Sequence, residues 1–203
     1  MKNTAFALLC GFGVFASSAG AKDKISDATM NNLQAAFNGE TNAHARYLAF
    51  AERADSEGYE GAASLFRAAA RAEEIQTANH ANVINKFGGR PSGKLESAMV
   101  GSTRENLAAA IKGETYERDE MYPAFVRQAQ RDGNIEAVQT LSFALTAEAE
   151  HAKLYKDALA NLEQMSASRV FYVCPTCGFT TASPDFERCP TRATPKERFE
   201  QIS

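Results

Sequence analysis

The chain lacks a strong excess of charge: 22 Lys and Arg stand against 25 Asp and Glu. That balance leaves no electrostatic footprint for nucleic acid or an anionic membrane surface. Long apolar runs are also missing. The best candidate, Ala5 to Ala16, is too short and too glycine-rich for a membrane span. Histidine occurs three times, so ligation built mainly on imidazole is excluded. Cysteine occurs four times, and Cys10 falls in the N-terminal apolar stretch. The other three, Cys174, Cys177 and Cys189, make an odd number, which excludes a complete disulfide framework.

The N-terminus reads as a leader. Lys2 precedes the apolar stretch, and Ala19-Gly20-Ala21 follows it with the small-x-small pattern of a cleavage site. Residues 1–21 are therefore expected to be a signal peptide, and the mature chain periplasmic. A membrane anchor and a lipoprotein at Cys10 are the alternatives. The first needs a longer run, and the second needs a small residue where Leu9 stands. Lys2 is the only charge removed, so the mature balance is 21 basic against 25 acidic residues, or −4.

Residues 28–165 are rich in Ala, Glu, Arg and Leu, with apolar residues at helical spacing. Leu33, Phe37, Tyr47 and Ala51 mark one stripe, and Val138, Leu141, Leu145 and Tyr155 mark another. The periodicity predicts four helices, near 28–57, 61–87, 102–131 and 134–165. Gly58 and Gly133 punctuate two short turns. A longer connection follows Gly88-Gly89-Arg90-Pro91. At about 14 residues it can reach roughly 45 Å, the length of the helix before it. Two hairpins joined by one long crossover make a ferritin-like, all-α four-helix bundle. Residues 22–168 are expected to form this bundle and 169–203 a small cysteine-bearing tail.

The chain repeats itself. Ala36-Phe-Asn-Gly-Glu-Thr41 lies over Ala110-Ile-Lys-Gly-Glu-Thr115, which places Glu40 on Glu114. After a one-residue insertion Gly58 falls on Gly133, Glu73 on Glu148, and Gln76 on His151. Each of these four glutamates shares the phase of apolar neighbours. A carboxylate buried alone costs several kcal/mol, and four facing one core repel one another. Two bound cations resolve both problems. Glu148-x-x-His151 adds an imidazole on the same helical face, and Glu114-x-x-Glu117 adds a fifth carboxylate. Oxygen-rich ligation of this kind suits iron or manganese better than structural zinc. The competing reading is a solvated acidic face, which the apolar neighbours oppose. His44 and His80 read as hydrogen-bonded core residues or supports of the ligands. At the other end, Cys-x-x-Cys spacing near a third cysteine points to metal.

These stretches together resemble the rubrerythrin family over essentially the whole mature chain. They are Gly39-Glu40-Thr41 to Arg46-Tyr47, Ala72-Glu73-Glu74, Gly113-Glu114 to Glu117, Met121-Tyr122-Pro123, Ala147-Glu148 to His151 and Tyr172-Val173-Cys174-Pro175-Thr176-Cys177-Gly178. The resemblance implies a non-haem di-iron peroxidase that reduces hydrogen peroxide to water. It implies Glu40, Glu73, Glu114, Glu117, Glu148 and His151 as iron ligands, with Tyr47 and Tyr122 as supporting hydrogen-bond donors. Glu117 is the ligand that in the family changes places with a histidine as the iron changes redox state. The resemblance also implies a rubredoxin-like iron site feeding electrons across a homodimer.

Two departures stand out. Gln76 occupies the position of the family's second histidine. In the tail the second knuckle reads Cys189-Pro190-Thr191-Arg192, and Ala193 replaces an expected glycine. Guanidinium stays protonated and cannot ligate. We therefore expect no stable four-thiolate iron site, and electrons from an external donor. Open alternatives are a three-cysteine site completed by an oxygen, or a Cys174–Cys177 disulfide. Ferrous-iron oxidation without sustained peroxidase turnover is the alternative function.

Overall fold

The structure, a computed structural model, describes residues 25–203. The leader read in residues 1–21 lies outside the described residues. Helix α1 spans Asp27–Ser56 and α2 Glu60–Lys86, joined by a tight turn in which Gly58 has a φ of 80°. Helices α3, Thr103–Tyr116, and α4, Tyr122–Arg131, form one rod that hairpins onto α5, Ile135–Ala160. That second turn uses Gly133 at a φ of 68°, so the two hairpins match in their turns as well. Both glycines adopt a left-handed conformation that a side chain disfavours. The helix starts are capped as their sequences suggest. Ser26 and Asn134 accept from Thr29 and Ala137, and Ser102 forms a capping box with Glu105.

Two helices differ from the sequence expectation. The third is not one continuous α-helix: Glu117–Met121 forms a π-helical segment between α3 and α4. A π segment accommodates one extra residue within a helix. This is where the internal repeat needs its insertion, since Glu40 matches Glu114 before it and Gly58 matches Gly133 after it. The fourth helix ends at Ala160, and Leu162–Met165 continues as a short 3-10 turn.

The crossover between α2 and α3 runs back along α1. Gln34, Asn38 and Asn42, spaced four residues apart, form a ladder of side-chain amides on that helix. Gln34 donates to the Arg90 carbonyl at 2.8 Å and accepts from Ser92 N at 3.1 Å. Asn38 accepts from Lys94 N at 2.7 Å, and Asn42 accepts from Glu96 N at 2.8 Å. The ladder satisfies backbone groups of a segment that has no secondary structure of its own.

Along the bundle the apolar core falls into two clusters. One gathers Tyr47, Phe50, Phe66, Leu107 and Tyr155; the other gathers Leu33, Ile84, Tyr122 and Leu141. On α1, the α3–α4 rod and α5 a buried glutamate lies between the two, and on α2 Glu73 falls near the end of the first cluster, before Ile75. On α1, Glu40 separates Ala36 of one cluster from Ala43 of the other. No helix among the described residues is long and apolar enough to cross a membrane.

The tail is a three-stranded antiparallel sheet, β1 Phe171–Val173, β2 Thr180–Thr181 and β3 Glu200–Ile202, in the order β2-β1-β3. It docks on α2 and α5 of its own bundle. Phe171 and Val173 enter the bundle core. Arg71 forms a two-pronged pair with Glu200 at 2.6 and 2.9 Å, and Asn79 donates to the Thr176 carbonyl at 2.9 Å.

Candidate metal centre

Four helical rods each bring carboxylates into the layer between the apolar clusters. Glu40, Glu73, Glu114 and Glu148 are at most 1 % exposed, and His151 is fully buried. Glu73, Glu114, Glu148 and His151 each offer one atom to a group in which all lie within 4.8 Å of one another. His151 Nδ1 is 2.9 Å from Glu148, 3.3 Å from Glu73 and 3.6 Å from Glu114. Glu40 and Glu117 stand beside this group. Glu117, on the π segment, is only partly buried, and its charge bears on Glu40.

The orphaned atoms of the layer test whether cations fit here. Glu40 Oε2, Glu73 Oε2, Glu114 Oε2 and Glu148 Oε1 are all buried without a hydrogen-bond partner. Buried carboxylate oxygens are normally paired, so four orphans in one layer mark the place of a missing positive partner. Their proton affinities agree. Burial first, and then the neighbouring carboxylates, push Glu40, Glu117 and Glu148 well above the usual carboxylate range. Burial also raises Glu73. For His151 burial works against the charged form, but hydrogen bonds to Glu114, Glu148 and Glu73 outweigh it and raise the imidazole well above its ordinary value. A hard cation pair removes this strain by taking the place of the protons.

The outer partners follow the repeat. Tyr47 donates to Glu114, and Tyr122 donates to Glu40, each phenol reaching across to the other hairpin. Tyr122 is in turn 3.3 Å from His80 Nε2, and Thr140 lies 3.0 Å from His80 Nδ1. Burial lowers the pKa of His80 to about 3, so it is a neutral link in this chain. His44 instead holds the Ala70 carbonyl, with Nδ1 at 2.8 Å.

Several neighbours of the layer take roles that the sequence alone does not give them. Thr180, in the tail, sits 3.1 Å from His151 Nε2 and itself donates to the Gly178 carbonyl at 2.9 Å. With its hydroxyl proton so engaged, it accepts from Nε2–H, so Nδ1 is the nitrogen that would ligate once a metal takes the place of its proton. Gln76 is buried beside the layer with both amide atoms unpartnered. Tyr155, read in the sequence only as a core aromatic, has a buried hydroxyl without a partner and a ring 5.5 Å from that of Tyr47. Arg46 spreads over the Tyr47 ring at 5.4 Å.

The tail cysteines form a second buried group. Cys174, Cys177 and Cys189 are free thiols whose sulfurs all lie within 4.8 Å. The expected difficulty at Ala193 is met rather than avoided: Ala193 holds a φ of 54°. A non-glycine residue in that region costs roughly 1–2 kcal/mol. The Arg192 guanidinium turns away and lies 5.4 Å above the Phe143 ring. Three thiolates do not fit the four-thiolate iron that the resemblance implies.

An antiparallel bundle with glutamates from all four rods, an i, i+3 Glu–His pair and phenol donors defines a ferritin-like carboxylate protein with a site for two irons. The rubrerythrin family model matches residues 31–159. Nigerythrin of Nitratidesulfovibrio vulgaris is 40% identical over 173 residues, covering 85% of each chain. Rubrerythrin-2 of Clostridium acetobutylicum is 38% identical, covering 85% of this chain and 95% of its own. The chain belongs to the rubrerythrin family. Among solved structures, the fully reduced, all-ferrous state of nigerythrin superposes with a TM-score of 0.79 at 36% identity, over 94% of this chain and all of that one. A bacterioferritin of Mycobacterium tuberculosis shares the bundle at a TM-score of 0.64 and 17% identity, a likeness of fold alone.

Proposed function

We propose that this protein is a non-haem di-iron peroxidase that reduces hydrogen peroxide to water as a defence against oxidative stress. Glu40, Glu73, Glu114, Glu117, Glu148 and His151 would hold the two irons. When bound, the metal pair supplies the two electrons that one peroxide consumes together with two protons, giving two waters. The single observation that carries the reading is the layer of orphaned carboxylate oxygens contributed by four helical rods. Everything else about the layer concerns positioning and protons. Tyr47 and Tyr122 restrain Glu114 and Glu40 through their hydroxyls and keep dissociable protons at the edge of the layer. Burial of their surroundings keeps bulk water out, which strengthens each of these contacts.

A second reading has its own observation. Arg192 stands in the tail where a fourth thiolate would complete an electron-relay site, and its side chain is engaged elsewhere. A protein without that relay fits ferrous-iron oxidation and binding without sustained turnover. For the peroxidase the reductant is then external, and the resemblance favours a homodimer. Steady-state peroxide consumption with an added reductant separates the two. Continuous turnover supports the peroxidase; a single burst matched to bound ferrous iron overturns it.

A further inference from the structure

We propose that Cys174, Cys177 and Cys189 form a three-thiolate site for a divalent transition metal, whose fourth coordination position is left to an exchangeable small ligand.

The backbone of both knuckles is kept. In the first, Gly178 N donates to the Cys174 carbonyl at 3.0 Å, and Cys174 N to the Phe179 carbonyl at 2.9 Å. In the second, Ala193 N donates to the Cys189 carbonyl at 2.8 Å, and Cys189 N to the Thr194 carbonyl at 2.7 Å. The two loops are equivalent at an offset of fifteen residues, which places Arg192 on Cys177. The equivalence extends to the left-handed residue, Gly178 at a φ of 77° and Ala193 at 54°. Local sequence does not favour that conformation at alanine, so the surrounding loop imposes it.

The turns bring the three sulfurs within 4.8 Å of one another, with Cys177 Sγ 3.6 Å from Cys189 Sγ. Three buried thiolates at this separation need a cation. The tetrahedral preference of zinc, cobalt or ferrous iron then leaves one corner. Arg192 does not fill it, because its guanidinium rests on Phe143. Nearby Thr191 Oγ1 is buried without a partner, a group able to hydrogen-bond a small ligand. A cleft of about 530 Å³ adjoins this knuckle, lined by Phe143, Phe179, Pro190 and Thr191 among others, and gives such a ligand a route in. A site with three protein ligands and one replaceable ligand binds and exchanges small donors, whereas a closed four-thiolate site passes electrons without ligand exchange.

The test is cobalt(II) loading of the full mature protein followed by titration with azide. The near-ultraviolet thiolate-to-cobalt bands report the tail alone. A Cys174→Ser/Cys177→Ser variant, titrated in parallel, subtracts the response of the bundle. We expect the parent to show these bands at roughly three-quarters of the intensity of Arg192→Cys, the ratio of their thiolates. Azide should shift the parent's bands and leave those of Arg192→Cys unchanged. Arg192→His, which closes the corner with an imidazole, should also lose the response, so the test survives if one variant fails to fold. Absence of thiolate bands in the loaded parent would overturn the proposal. So would bands that do not respond to azide, since a protein atom would then close the site.

Discussion

Replacing Thr180 by valine removes a hydroxyl and keeps the volume, so it isolates one hydrogen bond between the tail and the bundle. Thr180 is fully buried, and its oxygen is 3.1 Å from His151 Nε2. It cannot donate to His151 while donating to the Gly178 carbonyl at 2.9 Å. Nε2 must therefore carry a proton, which makes Nδ1, beside Glu148, Glu73 and Glu114, the nitrogen left to bind a metal when its own proton is displaced. Valine leaves a buried Nε2–H unsatisfied and lets the ring rotate or protonate on the wrong nitrogen. Loss of such an outer hydrogen bond to a metal-ligating histidine lowers metal affinity about 10–100-fold. In free energy that is about 1.4–2.8 kcal/mol.

The assay is competition for ferrous iron against a chelator of known affinity, on parent, Thr180→Val and Thr180→Ser. Serine keeps the hydroxyl and should restore most of the affinity. Asn79→Ala provides a second control, because it loosens the tail at the Thr176 carbonyl without touching the His151 contact. If Thr180→Val binds iron within about threefold of the parent, a difference worth under 1 kcal/mol, the tail does not set the histidine's tautomer.

Further predictions concern the layer itself. Purified protein should hold about two irons per chain in the bundle, the charge that opposed carboxylates require. Glu73→Ala or Glu148→Ala should lose metal, and unchanged metal content by elemental analysis in both variants would refute the assignment. Metal-stripped protein should lose thermal stability as pH rises from about 5 to 8, while loaded protein does not. The sign follows from Glu40, Glu117, Glu148 and His151, whose folded-state pKa values are all raised. A group raised in the folded state stabilises while it holds its proton, below its unfolded value, and that contribution is lost as pH climbs through the folded value. Calorimetry of both forms checks it, and a melting-temperature gap that narrows with pH would contradict it. Gln76→His should raise the reduction potential of the iron pair and speed its re-reduction, since an imidazole there can replace the Glu117 carboxylate on reduced iron, and carboxylate ligation favours the ferric state. A reduced structure of the parent with Glu117 swung away from the metal would contradict the expectation that Glu117 stays bound in both states.

The bundle was legible because its signals are local. Apolar residues recur at helical spacing, Gly58 and Gly133 mark turns with positive φ, and carboxylates interrupt the apolar stripes at matching points of a repeat. The π segment was visible only as the one-residue insertion, because its residues Glu117–Met121 have ordinary helical preferences. The crossover's hold on α1 was invisible for another reason. Gln34, Asn38 and Asn42 look like solvent-facing polar residues until the segment from Arg90 to Glu96 lies against them. Thr180 and Tyr155 were missed for the same cause: a threonine in a short strand and a tyrosine in a helical stripe acquire a role only from a distant partner.

The repeat also shows where the two halves of the centre cease to be equivalent. Glu40 matches Glu114, Glu73 matches Glu148 and Tyr47 matches Tyr122, so a symmetric ancestor would treat both metal positions alike. Two features break this. The π insertion brings Glu117 to one side only, and position 76 offers an amide where position 151 offers an imidazole. The tail meets both of these last positions with one short loop. Thr180 accepts from His151, while a Cβ on Gly178 would lie 3.3 Å from Gln76 Cγ and Nε2 and 3.1 Å from the Ala72 carbonyl. Gly178 thus allows the loop to close over α2 and α5, and its φ of 77° meets a second requirement of the cysteine knuckle at the same residue. One glycine therefore serves the geometry of the thiolates and their approach to the carboxylate layer together.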